Sequence, residues 1–161
     1  MMTLACDVVT ALGSRTVVTA ESCTGGGIGA ALTAVPGASR VVKGGIISYC
    51  NEVKRDVLGV EQTVLDKWGA VSAPVAEAMA RGARKLLKAD AAVSVTGLAG
   101  PGGDEFGNPV GTVFIGYAEE DSVISKEYHF SGDREAVRRQ AIRAALELIL
   151  EKQEENKEDK S

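Results

Sequence analysis

Four stretches of this 161-residue chain gather side chains that could make or break bonds. In TAESCTGGG, Thr19 to Gly27, hydroxyls, a thiol and a carboxylate precede three glycines directly after an apolar run. A glycine-rich turn that opens a helix offers unpaired backbone N–H groups at a positive dipole end, which suits a phosphate or carboxylate. Ser22, Thr24, Gly25 and Gly26 are its candidate binding residues. No lysine follows the glycines as in a phosphate-binding Walker loop, and Ser22 lies ahead of the glycines, not between them as in a GxSxG elbow. The alternative is a tight connection whose glycines let strand and helix pack closely. The second stretch, VTGLAGPGGDEFGNPVGT from Val95 to Thr112, holds six glycines and two prolines after a buried run. It is longer than a bare connection needs, and such loops are often functional. Thr96, Gly97 and Gly100 lie where a strand's carboxyl end would meet a ligand; the other reading is a wide turn.

The third stretch, Pro36 to Lys54, offers Ser39, Arg40, Lys43, Tyr49 and Lys54 around one predicted strand. A serine needs a base to become a nucleophile. His129 is the chain's single histidine and falls on a predicted strand without an evident acid partner, so a Ser-Lys dyad is the available arrangement. A lysine acting as base near neutrality must drop from about 10.4 to ~7–8, at a cost of roughly 3–5 kcal/mol supplied by burial or a neighbouring cation. Solvated lysines and a helix-capping serine would fit the same spacing. In the fourth stretch, Arg134, Arg138 and Arg139 occupy the first turns of the last predicted helix. Cations there oppose the helix dipole, which points either to a bound anion or to ion pairs with Asp133 and Glu135.

The elements that must position these residues follow from apolar periodicity. A helix is predicted over Leu4–Leu12, a strand over Arg15–Thr19, a helix carrying Ile28, Ala31, Leu32 and Val35 inward, and a strand over Gly45–Tyr49. A short helix near Glu52–Leu58 comes next. A clearer one is capped by Ser72, with Val75, Met79, Ala83, Leu86 and Leu87 as its inward stripe. Strands at Ala91–Val95, Gly111–Ala118 and Val123–Phe130 lead into a final helix from about Ser131, which buries Val137, Ala141, Ala144, Leu148 and Ile149. This alternation predicts an α/β fold: a three-layer α/β/α sandwich on a mixed, mostly parallel sheet of about five strands. Residues 1–150 form one domain in this reading, and the charged 151–161 tail frays or is disordered. Ligands of such sheets collect at the carboxyl ends of the strands, which draws the loops 19–27, 49–54 and 96–110 toward one site.

Composition narrows the classes. A chain of this length buries roughly 70% of its unfolded surface. Aromatics make up 4% and the net charge is −4, which argues against base stacking and a broad phosphate-backbone footprint, hence against a nucleic-acid partner. No apolar run suits a membrane span. Three cysteines, Cys6, Cys23 and Cys50, without CxxC spacing read as reduced thiols in a cytoplasmic protein. One histidine and no Cys/His cluster leave no metal site to propose.

The blocks TAESCTGG, PGAS, GGIISYCNEVK, GAVS, SVTGLAGPGG, PVGTVFIG and GDREAVRRQA resemble, in this order and over roughly residues 3–150, the C-terminal domain of the competence/damage-inducible protein CinA. That family includes stand-alone nicotinamide-nucleotide amidases, and the 161-residue length leaves no room for the N-terminal molybdopterin-binding-like domain of longer members, so the stand-alone form is expected. The resemblance implies hydrolysis of nicotinamide mononucleotide to nicotinate mononucleotide and ammonia without metal or cofactor, by a homodimer. It places the nucleophile on Ser39 and the general-base lysine on Lys54. Tyr49 and Thr96 match further active-site positions, and Arg138 is taken as the matching arginine. In this picture TAESCTGGG shapes the pocket and holds the phosphate, with Cys23 a bystander.

Overall fold

The computed structural model describes residues 1–160. In chain order the elements are α1 (Met2–Leu12), β1 (Val17–Glu21), α2 (Gly27–Thr33), a short 3₁₀ turn (Ala38–Arg40), β2 (Val42–Ile47), α3 (Asn51–Asp56), α4 (Gln62–Trp68), α5 (Ala73–Leu87), β3 (Ala91–Gly97), β4 (Thr112–Ala118), β5 (Val123–His129) and α6 (Arg134–Asp159). The five strands form one sheet in the order β2-β1-β3-β4-β5. β2, β1 and β3 run parallel, and β4 and β5 are antiparallel additions.

The central strands are sandwiched on both faces, as their burial shows, unbroken but for half-buried Gly97 at the end of β3. On one face α1, α2 and α6 pack with Val17, Val93, Val95, Val113 and Ile115. On the other, α4 and α5 pack with Val18, Ala20 and Ala92. The β2 edge instead alternates between half-buried and exposed positions, as period-two side chains do when one face is open. α5 buries Val75, Ala76, Met79, Ala80 and Ala83. Leu86, expected in that stripe, is 52% exposed. Alanines take up the contact because α5 lies close to its neighbours: at Gly82 a Cβ would overlap the Leu58 carbonyl oxygen.

Two expectations change. β1 runs two residues past Thr19, so that Glu21 is strand and buried. The chain does not leave the helix at Leu150, since among the described residues α6 continues to Asp159. The physical reason is a polar clasp. The Gln153 side chain is buried, donates to the Tyr117 hydroxyl at 2.7 Å and accepts from Arg15 Nε at 3.2 Å, while Asn156 donates to Glu119 at 2.8 Å. Among the described residues no helix is long and apolar enough to cross a membrane.

Candidate active site

β1 connects to β2 on one face of the sheet and β2 connects to β3 on the other, so the crevice beyond the ends of β1 and β3 is the topological switch point where such folds place ligands. A cavity of about 310 Å³ opens there, lined by Ser22, Cys23, Tyr49, Asn51, Lys54, Ala70, Val71, Thr96, the 97–100 stretch, Gly102 and Arg134.

Sheet register brings three hydroxyls into one row. The paired rows end with Glu21 beside Ile47 on one side and beside Val95 on the other. The ladder goes one step further: Ser48 N–H donates to the Glu21 carbonyl at 2.8 Å, and Ser22 N–H donates to the Val95 carbonyl at 3.0 Å. The next row is therefore Ser48, Ser22 and Thr96. By alternation these residues share the face of Ile46, Ala20 and Ser94, the face covered by α5.

Lys54 reaches this row from α3, whose start at Asn51 turns the chain back over the end of β2. Its side chain is only 1% exposed. Nζ donates to the Ser48 carbonyl at 2.8 Å and lies 3.0 Å from Ser22 Oγ. Burial disfavours the ammonium and lowers Lys54 from 10.5 to about 8; the Cys50 and Cys23 thiols nearby pull the other way. A lysine so adjusted can take a proton from a serine near neutral pH. Cys23, beside Ser22, is not a competing nucleophile: burial pushes its thiol up to about 11, leaving almost no thiolate.

The expected partner of Lys54, Ser39, is elsewhere. It sits exposed in the 3₁₀ turn that precedes β2, whereas Lys54 follows β2. The strand between them spans about 16 Å at about 3.3 Å per residue, so the two residues mark opposite ends of the sheet. Ser22, not Ser39, is the serine within hydrogen-bond reach of Lys54.

The other expected residues divide. Tyr49, 62% exposed, stands at the rim, and its hydroxyl accepts from Arg134 Nη2 at 3.1 Å. Thr96 lines the cavity but gives its hydroxyl proton to the Ala70 carbonyl at 2.8 Å, which fixes the 70–71 wall. Gly97 and Gly100 form part of the lining, and the Gly100 carbonyl accepts from Arg134 Nη1 at 2.7 Å. Arg134, not Arg138, is thus the helix arginine at the cavity. Arg138 is spent on backbone, donating to the Cys23 carbonyl at 3.0 Å and the Thr24 carbonyl at 3.1 Å, and so clips the turn that carries Ser22.

That turn does not hold a free anion site. The buried Glu21 carboxylate accepts from Thr24 Oγ1 at 2.7 Å, Ile28 N–H at 2.8 Å, Gly29 N–H at 2.9 Å and Thr19 Oγ1 at 3.2 Å. The protein's own anion occupies the start of α2. Thr24 is wholly buried in this arrangement. Gly25 and Gly26 both have positive φ, and Gly26, at 102°, caps α2 in a left-handed conformation that a side chain would strain. Both glycines shape the turn from outside the cavity. Glu21, Ser48, Asn51 and the 70–71 wall were not singled out from sequence. Alternation along Val18, Ala20 and Ser22 was the signal for the row, and it was available.

The comparisons with known proteins bear on the family and the fold. The CinA C-terminal domain model matches residues 2–153. The chain belongs to the CinA C-terminal domain family. Among relatives, the nicotinamide-nucleotide amidohydrolase PncC of Pseudomonas putida is 48% identical over 135 residues, covering 84% of each chain. A CinA-like protein of Thermosynechococcus vestitus is 50% identical over 138 residues, and this chain spans only 33% of that protein's length. A crystal structure of a CinA superfamily protein from Klebsiella pneumoniae superposes with a TM-score of 0.93 at 36% identity, covering 96% of this chain and 98% of the other. A competence/damage-inducible protein from Agrobacterium tumefaciens superposes with a TM-score of 0.89 at 40% identity, covering 92% and 93%. The sandwich described above is therefore the CinA C-terminal fold.

Proposed function

We propose that the chain is an amidohydrolase that converts nicotinamide mononucleotide to nicotinate mononucleotide and ammonia, with Ser22 as nucleophile and Lys54 as its base. The observation that carries this reading is the buried Lys54 amine 3.0 Å from Ser22 Oγ at the carboxyl end of β1. The substrate follows from the similarity to the nicotinamide-nucleotide amidohydrolase of Pseudomonas putida. Ser22 Oγ bonds to the carboxamide carbon while its proton passes to Lys54. The tetrahedral intermediate then collapses, the carbon–nitrogen bond breaks, and Lys54 returns the proton to the departing ammonia. Water resolves the ester. The oxyanion needs preorganised donors. We assign the N–H of Cys23, next after the nucleophile, and the Tyr49 hydroxyl, whose own proton is free while it accepts from Arg134. Arg134 keeps further N–H groups at the rim for the phosphate. Thr96 holds the wall and stays out of the proton path.

The test is ammonia release from nicotinamide mononucleotide, with plain nicotinamide and the nucleoside as controls. Ser22→Ala and Lys54→Ala should each lose nearly all turnover, because a dyad fails as a unit. Ser39→Ala should keep near wild-type turnover. Full activity in Ser22→Ala rejects the mechanism, and calorimetric binding of the nucleotide without turnover by the wild type would make the domain a binding module.

A further inference from the structure

One group in the hydroxyl row has no assigned task. Ser22 Oγ meets Lys54 and Thr96 Oγ1 meets the Ala70 carbonyl. Ser48 Oγ is fully buried and has no hydrogen-bond partner among the described residues. An unmatched buried hydroxyl costs about 1–3 kcal/mol, and proteins rarely keep one without use. Its surroundings suggest the use. Adjacent strands lie about 4.8 Å apart, and Lys54 already bridges the two strands at this row, touching Ser22 on one and the Ser48 carbonyl on the other. A lysine ammonium has three donors, and these two contacts occupy no more than two. The idle hydroxyl belongs to the very residue whose carbonyl Lys54 grips.

We propose that Ser48 is a positioning residue for Lys54: when Ser22 is esterified its hydroxyl turns onto Nζ, replaces the lost Ser22 partner, and keeps the amine aimed at the hydrolytic water. The inference rests on the Ser22/Lys54 reading above. In the step it serves, the water oxygen bonds to the acyl carbon and the bond from that carbon to Ser22 Oγ breaks. The water's proton passes to Lys54 and on to Ser22 Oγ, so Lys54 is neutral before and after. Ser48 keeps its own proton throughout. Acylation, in which Ser22 itself orients Lys54, does not need Ser48.

The test uses Ser48→Ala, which removes one buried atom, with a melting curve to verify folding. In rapid mixing with nicotinamide mononucleotide the variant should release about one equivalent of ammonia per enzyme in a burst. Steady turnover should then be lower than wild type by on the order of tenfold to a hundredfold, as for a misplaced catalytic group. A second readout needs no turnover. In Ser22→Ala the natural partner is missing, so Ser48 should take its place. Adding Ser48→Ala to that variant should lower the midpoint of a ¹⁵N titration of Lys54 Nζ by about half a unit or more, since an acceptor of the ammonium is lost. Wild-type turnover without a burst in Ser48→Ala, or equal Lys54 midpoints in the single and double variants, overturns the proposal. If the wild type releases no ammonia while the midpoints still differ, the role of Ser48 stands and the substrate assignment falls.

Discussion

Lys54→Met should make the protein more stable near neutral pH, and that advantage should disappear as the pH rises. The folded state lowers Lys54 from 10.5 to about 8, chiefly by burial. Between those values the unfolded chain binds the proton more tightly, so stability grows with pH across the window and is lost as pH falls through it. The difference, 10.5 − 8, at 1.36 kcal/mol per unit gives about 3 kcal/mol opposing the folded state at pH 7. At pH 10 less than about 1 kcal/mol of it remains. Methionine fills a similar volume without a charge. It forfeits the contacts to Ser22 Oγ and the Ser48 carbonyl, a loss of roughly 1–3 kcal/mol that hardly depends on pH. The stability gap between variant and wild type should therefore change by about 2–3 kcal/mol between pH 7 and pH 10, or roughly 4–12 °C in melting temperature. Urea denaturation of both chains at several pH values measures it. The remaining lysines and tyrosines titrate in both chains and cancel. A gap that is flat with pH, or that moves in the variant's favour as pH rises, would show that Lys54 does not carry a buried, destabilised charge.

Four more outcomes follow from the same geometry. The acid limb of kcat/KM in the ammonia assay should have its midpoint near the lowered Lys54 value of about 8, because the base works only when neutral. Arg134→Ala should raise KM for the mononucleotide by about tenfold or more with a smaller effect on kcat, as loss of a charged hydrogen-bond donor does, whereas Arg138→Ala should act mainly on stability through the 23–24 turn. Glu21→Gln sets an amide NH₂ against donors at the start of α2 and should lower the urea-derived stability by about 2 kcal/mol or more. Gly82→Ala drives a methyl into the Leu58 carbonyl, and a loss of about 1–3 kcal/mol or greater is expected in the same measurement.

Much of the scaffold was legible because its signals are local. The stripe of α6 and the β-branched strands announce themselves by period, and the near hairpin of β4 and β5 implies the antiparallel edge. α4 was missed: Gln62–Trp68 is a seven-residue helix with too few apolar positions to show a face. Glu21 read as a loop residue because a strand ending in a buried carboxylate makes sense only once Ile28 and Gly29 are seen to donate to it. The serine that meets Lys54 differs from the one expected, and the reason is topological. Ser39 and Lys54 are close in sequence, but one precedes β2 and the other follows it, and in a parallel sheet the residue before a strand is at the wrong end. Ser22 and Lys54 are 32 positions apart yet both lie where strands end. Chain order relative to the strands, not spacing along the chain, decides which residues can meet.

Glu21 has a further consequence for how a ligand can lie. Many α/β proteins seat a phosphate on a helix N-terminus beside the crevice. Here the start of α2 lies outside the cavity and is already neutralised by an internal carboxylate, while the exposed cation of the cavity, Arg134, stands at the mouth. A phosphorylated amide that reaches Ser22 would have to enter head first, with its phosphate trailing at the surface. Groups attached beyond that phosphate would meet solvent instead of a wall, so selectivity would reside in the inner portion of the molecule and tolerance in the outer.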